Sequence, residues 1–349
     1  MKILLPLLLS ALSADSLAVS IDDRSSNTFE IDLSAADAII SVFDQGEVSP
    51  EDVEQLLQLE VIQTSIRHTA NFNKDATAEV YKESLLEVLA GNEPEVDPFQ
   101  FKSVRKRLPQ IKSLYAKIKK DPQTLMEEIS VQMGGYMPED INLDGVAHLL
   151  IGGGSDGFAT GGDFYVGLHF FGDDYIGLKL LMAHEIYHLA QGQFFPLPTD
   201  SWKGLTSIEA ALNETLVEGS ASLVGDPTVV DGGTYVEWSR KKYNRNLARI
   251  EQDFRLFELI LYRLSSDPKS RFGDYYQLGF SGSWDSPLYF VGYSMAKTMM
   301  VHKGKTRLVE LYSLGPLEFF REYIELYDAK PESNIIRFSP AIEKIITSN

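Results

Sequence analysis

The chain has no cysteine. Disulfides, thiolate metal ligands, a cysteine nucleophile and a lipid-bearing N-terminal cysteine are therefore all excluded. Beyond its first residues it has no long apolar run, so no later segment reads as a membrane span. Positive charge is scarce. Lys and Arg number 32 against 50 Asp and Glu, a net charge of −18, which argues against nucleic acid and anionic membrane surfaces as partners. The acid excess reads as solubility rather than as a surface for basic partners. Repeats, low-complexity stretches and an obvious linker are also missing. What remains is 349 residues, 44% of them hydrophobic, enough to bury the core of one large domain or two small ones.

The first 18 residues have the layout of a secretory signal. Lys2 supplies the positive start, Ile3 to Leu12 an apolar run containing Pro6, and small residues follow, with cleavage placed after Ser13 or Ala18. The run is too short to span a bilayer. The mature protein is expected to be soluble and exported, to the periplasm or to the medium.

Residues 19–32 read as a loose leader. Helical patterns follow over Leu33 to Gln45, from Pro50 through Ile62, over Asp75 to Leu89, over Pro98 to Lys120 and over Pro122 to Gln132. The 98–120 run is rich in Lys and Arg, and in so acidic a chain it reads as a solvated face balancing nearby carboxylates. At Val146 the pattern changes. Val146 to Ile151 reads as a strand, and Phe164 to Phe171 as a second. Between them Gly152, Gly154 and Gly157 spell G-x-G-x-x-G, but no helix opens there to meet a pyrophosphate, so the stretch reads as a glycine-rich hairpin connection. Further helices are expected over 174–191, 206–224, 237–265, 286–302, 305–314, 316–327 and 339–347. The fold class is α+β, mostly helical, with a small sheet beside the helix at 174–191. A helical N-terminal region (19–140) precedes a catalytic region (141–349).

That helix carries His184-Glu185-Ile186-Tyr187-His188, an H-E-x-x-H sequence. Positions i and i+4 share one helix face, so both imidazoles can reach one ion, and Glu185 reaches the rim of the same site as a general base. From Tyr175 to Ala190 almost nothing else is polar, which marks the helix as buried. Burying two His and a Glu without partners costs several kcal/mol, roughly, and a metal removes that cost. Two His leave such a site incomplete, since a catalytic zinc takes three protein ligands and a water. The other four His, at 68, 148, 169 and 302, lie in no motif-like setting, and His169 reads as packing. The helix 206–224 offers Glu214 and Glu218, one turn apart.

H-E-x-x-H followed by a glutamate-bearing helix resembles the gluzincin, or thermolysin-like, zinc peptidases. Val217-Glu218-Gly219-Ser220-Ala221 resembles their E-G-x-A ligand segment. That resemblance implies Zn²⁺ held by His184, His188 and Glu218, with Gly219 and Ala221 letting the two helices approach. Asn213-Glu214 and Glu218 also resemble an N-E-x-x-x-D register, in which Glu214 would bind the metal. Glu218 is the preferred ligand and Glu214 its support or alternative. Gluzincins steady the oxyanion with a Tyr or His, and Tyr289 and Tyr293 in Leu288 to Ala296 are the candidates. The chain as a whole, through Glu51 to Leu57 and Tyr289 to Tyr293, is also similar to an uncharacterised family of proposed zinc-dependent peptidases.

The expected activity is peptide-bond hydrolysis by a zinc-activated water with Glu185 as general base, acting on a peptide or protein substrate laid along the strand 164–171. Two other readings fit the same residues. One is an exported zinc-containing binding or scaffold protein without turnover. The other is a metal-dependent hydrolase of non-peptide amides.

Overall fold

The computed structural model describes residues 28–45 and 48–348. The signal segment read from the sequence lies outside them. Strand β1 (Thr28–Asp32) leads into six helices: α1 (Ser34–Asp44), α2 (Pro50–Leu56), α3 (Glu60–Ala70), α4 (Ala78–Leu89), α5 (Phe101–Lys120) and α6 (Pro122–Met133). Three strands follow, β2 (Asp144–Leu150), β3 (Gly157–Thr160) and β4 (Asp163–Gly167). The remainder is helical: α7 (Tyr175–Phe194), α8 (Ser207–Val224), α9 (Thr234–Ala248), α10 (Ile250–Ser266), α11 (Gly273–Phe280), α12 (Pro287–Lys303), α13 (Lys305–Leu314), α14 (Pro316–Asp328) and α15 (Pro340–Ser348). The protein is α+β and mostly helical, with one small sheet. Among the described residues no helix is long and apolar enough to cross a membrane.

Local chemistry sets the helix starts. Ser49 and Asp52 form a reciprocal capping box at α2, with Pro50 at the first helical position, and Thr206 and Glu209 do the same at α8. Asp174 caps α7 by accepting from Gly177 N at 2.9 Å, and its other oxygen takes Val236 N at 3.0 Å, so one carboxylate ties α7 to α9.

The sheet order is β1-β2-β4-β3. β2 pairs in parallel with β1 and with β4, whereas β3 and β4 form an antiparallel hairpin. Gly161 and Gly162 make its turn with φ of +65° and +89°, which a side chain would resist. β4 thus has a neighbour on each side, and β3 is an edge.

Several elements differ from the sequence expectation. β1 falls in the presumed leader, because its partner β2 lies more than a hundred residues away and leaves no local mark. β3 is four residues long amid glycines and is defined only by its pairing with β4. The second strand ends at Gly167, and a short 3-10 turn covers Leu168 to Phe170. The expected helix 237–265 is two helices broken at Arg249, and α11 lies outside every expected helix.

One hydrophobic core joins the sheet, α1–α6 and the buried face of α7, and runs across residue 140. A second joins α8 with α10 and α12–α15. α7 and α8 stand where the two cores meet. α8 crosses α12 at Gly219 and Gly292: a Cβ on Gly292 would lie 1.9 Å from the Thr215 carbonyl oxygen, and one on Gly219 would lie 2.3 Å from the Gly292 carbonyl carbon. Gly219 therefore serves the approach of α8 to α12, not to the motif helix. The approach to α7 is made at Gly225, where a Cβ would be 3.1 Å from that of His184. Ala221 does pack in the core shared with α7.

Candidate metal centre

On α7 the i, i+4 spacing turns His184 and His188 to one side, with their Nε2 atoms 3.3 Å apart. Glu218 of α8 faces both, its Oε2 lying 3.6 Å from each Nε2. Among the described residues this is the one group of three His, Asp or Glu side chains close enough to hold a single ion. The triangle suits tetrahedral zinc, whose bonds of about 2.0–2.2 Å hold ligand atoms roughly 3.3–3.6 Å apart. Glu218 Oε2 is buried and has no hydrogen-bond partner among the described residues. A buried carboxylate oxygen without a donor is costly, and a cation at the centre of the triangle removes the cost. The donor set of two imidazoles and a carboxylate thus fits Zn²⁺.

Gln191, fully buried in the last turn of α7, completes the arrangement. Its Oε1 lies 2.7 Å from His188 Nδ1, and its Nε2 donates to the Val217 carbonyl and to Ser220 Oγ, each at 2.8 Å. With the amide nitrogen committed to α8, the amide oxygen faces His188. It keeps the proton on Nδ1 and leaves the Nε2 lone pair free for a metal. The sequence reading ends the helix at Gln191 and gives no sign of this role. Three residues past His188 is nevertheless the same helix face, which is the signal that could have found it.

The carboxylates are tuned apart. Burial pushes the Glu185 carboxyl up to about 7; His188 pulls the other way, and Glu218 and Asp156 push with burial. A base with its pKa near neutrality suits proton transfer at neutral pH. For Glu218 burial acts upward too, but the neighbouring His188, His184 and Tyr289 outweigh it and hold the carboxylate below its usual range. Glu214 moves the other way, raised by burial and by repulsion from Glu218, while its Oε2 accepts from Trp202 Nε1 at 3.0 Å.

The three donors and Glu185 open into a cavity of about 980 Å³. One part of its wall is β3 with the glycine turn, Asp156 to Gly162; another is α9, through Tyr235, Trp238, Ser239 and Lys242. His68 of α3 also lines it and stacks on Phe158 of β3, with ring centroids 3.8 Å apart.

Over residues 53–332 the sequence matches a protein family described as "Putative zinc dependent peptidase (DUF5700)". The chain belongs to this family. The zinc dependence in that description agrees with the donor set. No curated protein and no solved structure matches the chain.

The tyrosines separate in this family member. Tyr289 lines the cavity and faces Glu218. Tyr293 does not line it. Its hydroxyl donates to Asp226 Oδ2 at 2.7 Å and also meets Lys297, inside the second core. One helical turn separates the two residues on α12, so the sequence spacing could not tell which points inward. Tyr293→Phe is expected to leave turnover alone and to lower stability by about 1–3 kcal/mol, because buried Asp226 loses a donor. Tyr289→Phe should instead reduce zinc affinity or turnover by roughly 10–100-fold. Denaturant melts and zinc titrations of both variants check the pair; equal turnover losses would put Tyr293 back at the site. His169 is buried away from the donors, its Nδ1 accepting from Gly152 N at 3.2 Å, and burial pushes its pKa down to about 3. It packs, as its place in the sequence suggests.

Proposed function

We propose that this protein is an exported, gluzincin-type zinc metallopeptidase that hydrolyses peptide bonds with Glu185 as general base. One observation carries the reading. A half-buried glutamate with a raised pKa stands beside a three-donor zinc set, in a cavity walled by β3, an edge strand among the described residues. A zinc site that only braces a fold has no need of a base in an open cavity.

Zinc bound by His184, His188 and Glu218 would supply a Lewis acid that lowers the pKa of the attacking water and polarises the scissile carbonyl. The chain's own groups do the rest. Glu185 accepts the water proton and returns it to the leaving amine. Gln191 holds the His188 ring by its Nδ1 proton. Tyr289 either steadies Glu218 or donates to the carbonyl oxygen as charge develops there. The substrate backbone pairs with β3, whose outer edge has no strand partner among the described residues, rather than with β4, whose edges are both taken. Gly161 and Gly162, where a Cβ would meet nothing within 4 Å, leave the turn beside that edge uncrowded, and Gly157 lets β3 lie close to Glu185, where a Cβ would come 3.4 Å from its Cγ.

The test is metal content measured together with turnover of a mixed peptide library. About one zinc per chain in turnover-competent protein is expected. Zinc near zero in protein never exposed to chelator would remove the basis of the reading. Fractionation of the producing cells tests export: retention of the full-length chain in the cytoplasm would remove that part.

A further inference from the structure

Lys242, on the cavity wall, has no use in the chemistry above. It shares that wall with Glu185, Glu218 and Tyr289, and its ammonium lies 5.9 Å from the centre of the Tyr289 ring. It donates a long hydrogen bond, 3.4 Å, to Ser286 Oγ, and among the described residues no carboxylate pairs with it. The charged groups around it are occupied elsewhere. Asp285 binds Arg245 at 2.9 Å and lies 3.6 Å from Arg249; Asp156 takes the Tyr235 hydroxyl; Glu218 faces the two histidines. Burial lowers the lysine's pKa. Asp156, Asp285 and Glu218 offset part of that, and Arg245 opposes them. Desolvating an ammonium without a partner is expensive, so the arrangement has a cost that a bound anion would relieve.

The neighbouring backbone is also set for this. Asp285 and Ser286 both have positive φ, 63° and 52°, a conformation that non-glycine residues avoid. The pair is held by Arg245 and Arg249 on the Asp285 carboxylate and by Asn246 Nδ2 donating to the Asp285 carbonyl at 3.2 Å. The strained turn thereby fixes the buried Ser286 hydroxyl against Lys242. One turn back on α9, Trp238 lines the same cavity and is 57% exposed, a flat apolar surface on the same wall.

We propose that Lys242 is the anchor for a carboxylate of the peptide substrate, so that the site selects peptides bearing a C-terminal carboxylate or an acidic side chain near the scissile bond. This rests on the peptidase reading for its substrate class, but its test does not use turnover. Zinc-loaded full-length protein carrying Glu185→Gln is titrated by calorimetry with N-acetylated tripeptides ending in aromatic or aliphatic residues. Each peptide is supplied as free acid and as C-terminal amide. A second set, all C-terminal amides, carries Asp or Asn internally.

The expected result is about 10–100-fold tighter binding of one carboxylate-bearing set, as befits a charge-assisted hydrogen bond in a desolvated site. Preference for free acids identifies the C-terminal carboxylate, and preference for Asp over Asn the side chain. Lys242→Met should bind both members of each pair alike, and Lys242→Arg should keep part of the preference. Zinc content and melting temperature show that each variant is folded, and Lys242→Gln replaces the Met variant should that one fail. Equal binding of acid and amide forms by the Lys242 protein overturns the proposal. So does a preference that survives in Lys242→Met, since the anion would then sit on the zinc. A protein that shows the Lys242-dependent preference but never cleaves a peptide keeps the anchor and loses the peptidase reading. A protein that cleaves peptides but binds acids and amides equally keeps the peptidase reading and loses the anchor.

Discussion

Glu185→Gln should retain its fold and its zinc and lose peptide hydrolysis by roughly 100- to 10,000-fold, the share of a general base. The substitution keeps volume and removes only the basic oxygen. His184, His188 and Glu218, the three ion-holding side chains, are untouched. The variant should be at least as stable as its parent. Glu185 is half-buried, and desolvation together with repulsion from Glu218 and Asp156 outweighs the pull of His188, so a neutral amide relieves a charge that the surroundings oppose. Loss of activity together with unchanged or raised melting temperature is therefore the diagnostic combination, because a merely structural Glu185 would lose both or neither. The assay compares parent and variant at equal zinc occupancy on the same peptides. Equal turnover would show that Glu185 is not the base and would end the mechanism. Binding without turnover in both proteins would favour the zinc-containing scaffold reading.

What the sequence revealed and what it concealed follow one physical division. Features built within a single helix were legible. The i, i+4 histidines, the capping box at Thr206 and Glu209 and the apolar flanks of α7 are periodic or local, and the structure has them in place. The meeting of α8 with α7 was legible only through the Glu214 and Glu218 pair, because a resemblance carried it. Features made by contacts between distant segments were not legible. β1 depends on β2, and the edge position of β3 depends on the order of the whole sheet. The identity of the strand that walls the cavity therefore could not be read from Phe164 to Phe171 alone. Gly219 shows the same limit in miniature. The sequence marks it as a point of close approach, and it is one, but its neighbour is Gly292 of α12. The wall formed by Tyr235, Trp238 and Lys242 has helical spacing, yet on a mostly polar helix that spacing looks like an ordinary amphipathic face.

Glu218→Ala should all but abolish zinc binding, whereas Glu214→Ala should weaken it by no more than the roughly 10–100-fold typical of an outer partner. The geometry separates the two acids although one helical turn divides them. Glu218 Oε2 stands 3.6 Å from both ring nitrogens and has no other partner, whereas Glu214 is engaged by the Trp202 indole at 3.0 Å. Their ionisation points the same way. The histidines and Tyr289 hold Glu218 as the anion that a cation needs, and burial beside that anion leaves Glu214 inclined to keep its proton. Removing Glu218 leaves two imidazoles, one ligand short of a catalytic zinc set, at the end of a buried helix. Removing Glu214 frees Trp202 and relieves the repulsion on Glu218, and these effects partly cancel at the metal. Competition titrations against a chelator, run on the parent and both variants at one pH, give the order directly. A greater loss of zinc affinity in Glu214→Ala than in Glu218→Ala would mean that the N-E-x-x-x-D register describes the bound state and that α8 shifts along its axis by about one helical turn, ~5 Å, when the ion enters.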